Sequence, residues 1–305
     1  MAATTAPALR LSALPPATGR AGLAGAIRSE FTKLRSVRST YWTIAAMVIV
    51  SVGVAAIAGF AIANDIHNHP QNKANFDATQ ASLIAFFEFG QLIIAVLGAL
   101  VITSEYSTGM IRTSLTAQPR RGVVYAAKLI VFTTVSLIVS LITSFTAFFV
   151  GQAAMSGSGV SASLFHSVTI PRDVMMTPPN NVKFIGTTVI SPGTVLTAII
   201  GCALFVTVVA LIAFALGSII RHTAGAITSA IGLLFVLPVI VQILPDTWRW
   251  DIMRFFPDAA GRVLSVTIGQ HNTHLWSAWP QSAVTVIYAA VLLVAGGYLF
   301  RKRDA

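Results

Sequence analysis

Charge is what this sequence has least of. Asp, Glu, Lys and Arg make up 10% of its 305 residues and hydrophobic residues 55%, whereas soluble domains carry about 25% charge. With a mean hydropathy of +0.78, that excludes a soluble fold of this size. Cysteine occurs once, as Cys202 inside an apolar run. An intramolecular disulfide and a Cys-based metal site are therefore excluded. No G-x-x-x-x-G-K-[ST] stretch is present, so this chain has no phosphate loop to cradle ATP. H-E-x-x-H is also missing. The pairs His67/His69 and His271/His274 lack companion ligands at a recognised spacing, so no metal site is expected. No Ser/His/Asp grouping suggests catalysis, and the chain is not expected to be an enzyme. Residues 2–22, rich in Ala and Pro with scattered Arg, hold no apolar core before a cleavage site. Residues 1–22 read as a disordered cytoplasmic tail.

What is present is a set of long apolar runs. A bilayer core about 30 Å thick needs roughly 20 helical residues to cross it. Six stretches qualify: 41–63, 83–103, 129–151, 194–219, 225–244 and 283–300. Six crossings put both termini on one side. That side collects Arg10, Arg20, Arg28, Lys33, Arg35, Arg38, Arg112, Arg120, Arg121, Lys128, Arg221, Arg301, Lys302 and Arg303, against the acids Glu30, Glu105 and Asp304. The other side balances its cations with Asp. The basic side is expected to be cytoplasmic by the positive-inside rule. Topology thus accounts for the net charge of +10, and no nucleic-acid partner is implied.

Residues 23–40 precede the first span. Leu23, Ile27, Phe31, Leu34 and Val37 recur at helical steps, with Arg28, Lys33, Arg35 and Arg38 on the remainder. This spacing predicts an amphipathic elbow helix in the membrane interface, its cations reaching lipid phosphates. Tyr41 and Trp42 mark the head-group level. Ser51, Ala55 and Gly59 form a small-residue row suited to close helix approach. Gly225/Ser229 and Thr228/Gly232 are similar pairs on the fifth span, where Pro238 predicts a kink.

Two outer segments, 156–192 and 245–280, complete the 41–303 transmembrane domain. In the first, 168–170 and 189–190 are candidates to pair as strands. In the second, Trp248, Ile252 and Phe255 share a helical face, and Asp258 is placed to cap a short helix. Glu88 is the one acid clearly inside a span. Its helix continues through Gln91, Ala95 and Gly98, and the third span carries Thr133, Ser136, Ser140 and Thr143. Glu88, Gln91, Ser136 and Ser140 are candidates for a substrate pathway; the alternative is interhelical hydrogen bonding.

The most specific local signal is the inner loop 104–124, beginning SEYSTGMIRTSLTAQPRR. Ser104 is a plausible N-cap, with Glu105 favouring the positive end of a helix spanning 105–115. Glu105, Gly109, Arg112, Pro119, Arg120 and Lys128 resemble the first inner loop of ABC-2-type transporter permeases, with Met110 where that family often has Thr. The FPDAAG stretch at 256–261 resembles the family's outer segment before the last span. The resemblance runs from about residue 23 to the end. It implies an all-α integral membrane fold with an interfacial elbow helix and six transmembrane helices. It implies a coupling element, Glu105, Tyr106, Gly109, Arg112, Pro119, Arg120 and Arg121, docking on a separate ATPase. Arg28, Phe31, Lys33 and Arg35 belong to the elbow. The implied function is export of an amphipathic or hydrophobic substrate across a bacterial cytoplasmic membrane. The implied partners are two ATP-binding subunits, which hold ATP and Mg, and a second permease copy or related permease. The rival readings are a secondary transporter, for which Glu88 alone is too few intramembrane acids, and a non-transporting scaffold of the same fold.

The topology is directly testable with single cysteines on a Cys202→Ala background. Cysteines placed at Ala3, Thr113 and Ala305 are expected to react with an impermeant maleimide only in inside-out vesicles, and one at His67 only in whole cells.

Overall fold

The computed structural model describes residues 22–70, 76–175, 183–268 and 275–302. The predicted tail therefore lies outside the described residues except for Gly22, the N-cap of the first helix. Helix α1 (Leu23–Ser36) ends where Val37 turns extended. Six helices follow that are long and apolar enough to cross a membrane: α2 (Arg38–Asn68), α3 (Ala78–Ser107), α5 (Arg121–Ala154), α6 (Pro192–Ile220), α7 (Thr223–Val241) and α10 (Ala278–Lys302). Each matches one predicted span. Most run longer, because a helix continues past its apolar stretch until a capping residue stops it. Asp77 caps α3, accepting from the Thr79 and Gln80 amides at 3.0 Å. Ser191 caps α6, whose first residue is Pro192, the position where a missing amide proton costs nothing. The fifth span ends at Val241, short of the predicted 244.

The bundle is organised around α6, the most buried span, which packs on α3, α10 and α5. Small residues set these contacts, as expected where lipid gives no hydrophobic drive for helices to associate. Gly98 of α3 lies against the Ala210 carbonyl of α6, and Gly296 of α10 against Ser218. The predicted row Ser51, Ala55 and Gly59 is buried, with Gly59 facing Gly151 and Ala154 of α5. The pairs on the fifth span behave differently. Gly232 has no neighbour within 4 Å, and Gly225 meets only Ile220 and His222. Within this chain neither glycine of these pairs lets another span's backbone approach closely.

Two spans contain a π turn. One, Gly232–Val236, immediately precedes the segment holding Pro238. A proline has no amide proton and crowds the carbonyl four residues back. Here that residue, Leu234, lies in the widened turn, so the predicted disturbance takes the form of a π turn. The other, Phe86–Gly90, interrupts α3.

At the end of the bundle away from α1, strands β1 (Val168–Met175) and β2 (Lys183–Ile190) form an antiparallel ribbon, with Val168 opposite Ile190 and Thr169 opposite Val189. This extends the predicted pairing. Short helices α8 (Asp246–Met253) and α9 (Asp258–Ser265) follow α7. Helix α9 packs on α6, with Gly261 against Phe205 and Leu264 against Gly201. Trp248 and Phe255 are exposed. Asp258 is not a cap: Pro257 holds that position, and the Asp258 carboxylate turns to Arg262 and Gln91.

The helix contacts give a graded expectation. A Cβ at Gly59 would come 2.7 Å from the Ala154 Cβ and 2.8 Å from the Gly151 carbonyl oxygen, and one at Gly98 would overlap the Ala210 carbonyl. Gly59→Ala and Gly98→Ala should each cost about 1–3 kcal/mol through overpacking. Gly25, with nothing within 4 Å, should gain up to about 1 kcal/mol as Ala from helix propensity. Thermal unfolding followed by size-exclusion chromatography in detergent checks the order.

Candidate functional site

At the end of the bundle rich in Lys and Arg, four elements converge: α1, the last turn of α3, a short helix α4 (Met110–Ala117) and the start of α5. The chain reverses between α3 and α4 at Gly109, which has φ of +71°, a left-handed conformation natural to glycine. This placement corrects one expectation. Ser104 is not an N-cap and Glu105 does not open a helix over 105–115. Residues 104–107 continue α3, and α4 starts at Met110 with Gly109 as its N-cap. The physical reason is that Gly109 is the first residue able to break the helix. Glu105 therefore stands in the final turn of a span and points into the bundle.

There it meets three other buried or half-buried charges. The Lys128 ammonium, its side chain 1% exposed, lies 2.5 Å from Glu105 Oε1 and 2.6 Å from Glu30 Oε2. The Lys33 ammonium lies 2.8 Å from Glu30 Oε1 and 3.2 Å from Glu105 Oε1. It also donates to Ser114 Oγ at 2.8 Å. Two cations and two anions thus alternate, and the cluster is neutral. Isolated, any one of these buried charges would cost several kcal/mol; paired and hydrogen-bonded, they are tolerated. Burial works against the Lys33 cation, but its bond to Glu30 and the field of Glu105 outweigh this and raise its pKa above the ordinary 10.5. Its contribution to stability is therefore present below pH 10.5 and is lost as pH rises through the higher folded value.

The cluster joins α1 (Glu30, Lys33), α3 (Glu105), α4 (Ser114) and α5 (Lys128). A second tie lies beside it. The Arg221 guanidinium sits 4.9 Å over the Tyr106 ring and donates to the Leu299 carbonyl at 3.2 Å. This links the α6–α7 turn to α3 and α10. Helix α4 buries Ile111 and exposes Met110, Arg112, Thr113 and Thr116. Pro119 and Arg120 are exposed in the connection, and Arg121 begins α5.

The structure sorts the predicted elbow residues. Arg28, Phe31 and Arg35 are exposed. Lys33 was expected to reach lipid phosphates, yet it is held inward by Glu30, Glu105 and Ser114. Glu30 and Ser114 were missed as site residues. Glu30 carried a signal, since it is the sole acid before Asp65. Lys128 carries a signal too, since a lysine followed by a long apolar run asks for a buried partner.

The proposed pathway residues lie elsewhere. Glu88, in the π turn, has its carboxylate 3.1 Å from Arg262, which also binds Asp258 at 2.8 Å. Burial opposes the Arg262 cation, while Asp258 and then Glu88 hold it charged, with a raised pKa. Gln91 is buried and donates to Asp258 at 3.4 Å. Both residues thus tie α3 to α9. Ser136 and Ser140 are fully buried, and Ser136 donates to its own helix at Phe132. His69 lies 3.3 Å from Asp65. Among the described residues no three metal-ligating side chains come together; His271 and His274 lie outside the described residues.

These features define an all-α integral membrane protein with a short helix displayed at its basic end. Residues 26–176 match the family model described as ABC-2 family transporter protein. The chain is a membrane protein of the ABC-2 transporter family. The matched stretch holds every member of the charge cluster. No curated protein matches the sequence. Membrane proteins of this family generally work with ATP-binding subunits.

Removing one partner from a buried charge network leaves the others uncompensated. Lys128→Met is expected to destabilise the purified protein by about 3–5 kcal/mol. Glu88→Gln, at a partly exposed pair, should cost at most about 1 kcal/mol. Thermal denaturation in nanodiscs distinguishes the two.

Proposed function

We propose that the chain is the permease subunit of an ATP-driven exporter, in a bacterial cytoplasmic membrane with both termini in the cytoplasm. The observation that carries this reading is the mounting of α4. Its outer face is exposed, while Ser114 on its inner side is bonded into a buried cluster shared by α1, α3 and α5. A rigid, exposed helix anchored to two spans is what an external motor needs as a handle.

Two ATP-binding subunits, holding ATP and Mg, dock on α4 and α1 of two permease copies. Their closure displaces α4, and the cluster passes the displacement to α3 and α5. Helix α3 is 30 residues long, about 45 Å at 1.5 Å per residue, so it reaches across the bilayer. In its far half Glu88 and Gln91 hold α9 through Arg262 and Asp258, and its far end is held by Asp77. Asp77 accepts from the Thr267 amide at 2.6 Å and the Ile268 amide at 2.8 Å. A tilt of α3 therefore moves the outer cover together with the handle. The substrate is amphipathic or hydrophobic and leaves between two copies beneath that cover. In this reading Glu88 and Gln91 act on the cover, and Ser136 and Ser140 pack the interior. The chemistry of ATP hydrolysis belongs to the partner.

The test is co-purification with a co-expressed ABC-type ATP-binding subunit from the same genome. Arg112→Glu, on the exposed face of α4, should lower ATPase recovery at least ten-fold. Glu105→Gln should retain the ATPase but abolish nucleotide-dependent export from vesicles. Full ATPase recovery with Arg112→Glu, or normal export with Glu105→Gln, removes the coupling assignment.

A further inference from the structure

A cavity of about 240 Å³ opens beside the charge cluster, between α1, the start of α2 and the end of α3. Leu34, Leu97, Leu100, Val101 and Met110 make its apolar wall, and Glu30, Lys33 and Glu105 its charged wall. Glu105 makes both of its ion pairs through Oε1. Its other oxygen, Oε2, is buried and has no hydrogen-bond partner among the described residues. A buried carboxylate oxygen without a donor is costly, and this one belongs to a cavity-lining residue.

Position identifies what fills it. Ser39 and Thr40 line the cavity, and the next two residues, Tyr41 and Trp42, are exposed, Trp42 by 76%. Such aromatics sit at head-group depth, so the opening faces lipid heads and the apolar wall follows the span inward. The cluster itself is neutral, and its free atom is a carboxylate oxygen, which attracts an ammonium. Arg35 and Arg38, adjacent in sequence to the lining residues Leu34, Val37 and Ser39, are exposed and suit a phosphate.

We propose that this cavity binds a zwitterionic phospholipid with N–H donors, the phosphatidylethanolamine class. The ammonium draws the Glu105 carboxylate round so that Oε2 accepts from it, the phosphate faces Arg35 and Arg38, and an acyl chain follows Leu97, Leu100 and Val101. Phosphatidylcholine has the same charges and the same phosphate but no N–H, and it leaves Oε2 unsatisfied. The bound lipid completes the cluster that mounts α4. The inference requires that α2 and α3 cross a bilayer and does not require the export reading.

The test uses the full-length protein in nanodiscs of equal parts phosphatidylethanolamine, phosphatidylcholine and phosphatidylglycerol with matched chains. Native mass spectrometry reads the lipid retained after release. Phosphatidylethanolamine should be enriched at least ten-fold over phosphatidylcholine, and Val101→Trp, which fills the cavity, should abolish the enrichment. A photoreactive residue at Leu100 should capture the same lipid in a chain that keeps Val101, so the location remains testable if Val101→Trp does not fold. Equal retention of the two zwitterions, preference for phosphatidylglycerol, retention of no lipid, or enrichment that survives Val101→Trp would overturn the proposal. None of these outcomes bears on whether an ATPase docks on α4.

Discussion

Two lysines and two glutamates, brought together from three helices, and a serine from a fourth hold the basic end of this protein in one arrangement. Glu30 and Lys128 are separated by 98 residues of sequence, yet they meet at 2.6 Å. Such a cluster is weak evidence for stability as such, since well-packed apolar side chains can serve as well. Its consequence is positional. An apolar contact between α1 and α5 would tolerate sliding, whereas alternating charges in a buried site accept one register. The amphipathic helix, the exposed α4 and two spans thereby behave as one mount.

The opposite end repeats the logic on a smaller scale. Arg262 is shared between Asp258 on its own helix and Glu88 on α3, and Asp77 both caps α3 and fixes the backbone at 267–268. Helix α3 thus carries charged attachments at both ends. Between them Gly98 lets its backbone approach α6 closely. A helix held in this way responds to a push at one end by moving as a rod, except at its π turn, where hydrogen bonding is already irregular. This arrangement is the ground on which we propose export by an external ATPase.

Much of this was legible in the sequence, because hydropathy is a strong signal when lipid is the solvent. The six spans, the basic end, the short outer helices and the β pairing at 168–170 all follow from run length, charge sorting or local turn chemistry. What was not legible depends on three-dimensional partners. Glu105 read as the first residue of a new helix because Ser104 is a good cap, but capping preference yields to a helix with nothing to stop it before Gly109. Lys33 read as a lipid contact because its neighbours are basic; its inward turn depends on residues 72 and 81 positions away. The π turns have no sequence mark beyond Pro238. The proposed pathway residues Glu88 and Gln91 share a helix, yet what they meet, the Asp258–Arg262 pair of α9, lies far along the chain, 167 positions from Gln91 to Asp258.

The claim that the charge cluster makes α1 and α4 one body can be measured by the distance between them. Spin labels at Ser29 on α1 and Thr113 on α4 both occupy exposed positions, and the single native thiol, Cys202, is buried. Double electron–electron resonance on the reconstituted protein should give one narrow distance distribution, which Lys128→Met should broaden while far-UV circular dichroism stays unchanged. An equally narrow and unshifted distribution in the variant would show that the two helices are held by something other than these charges.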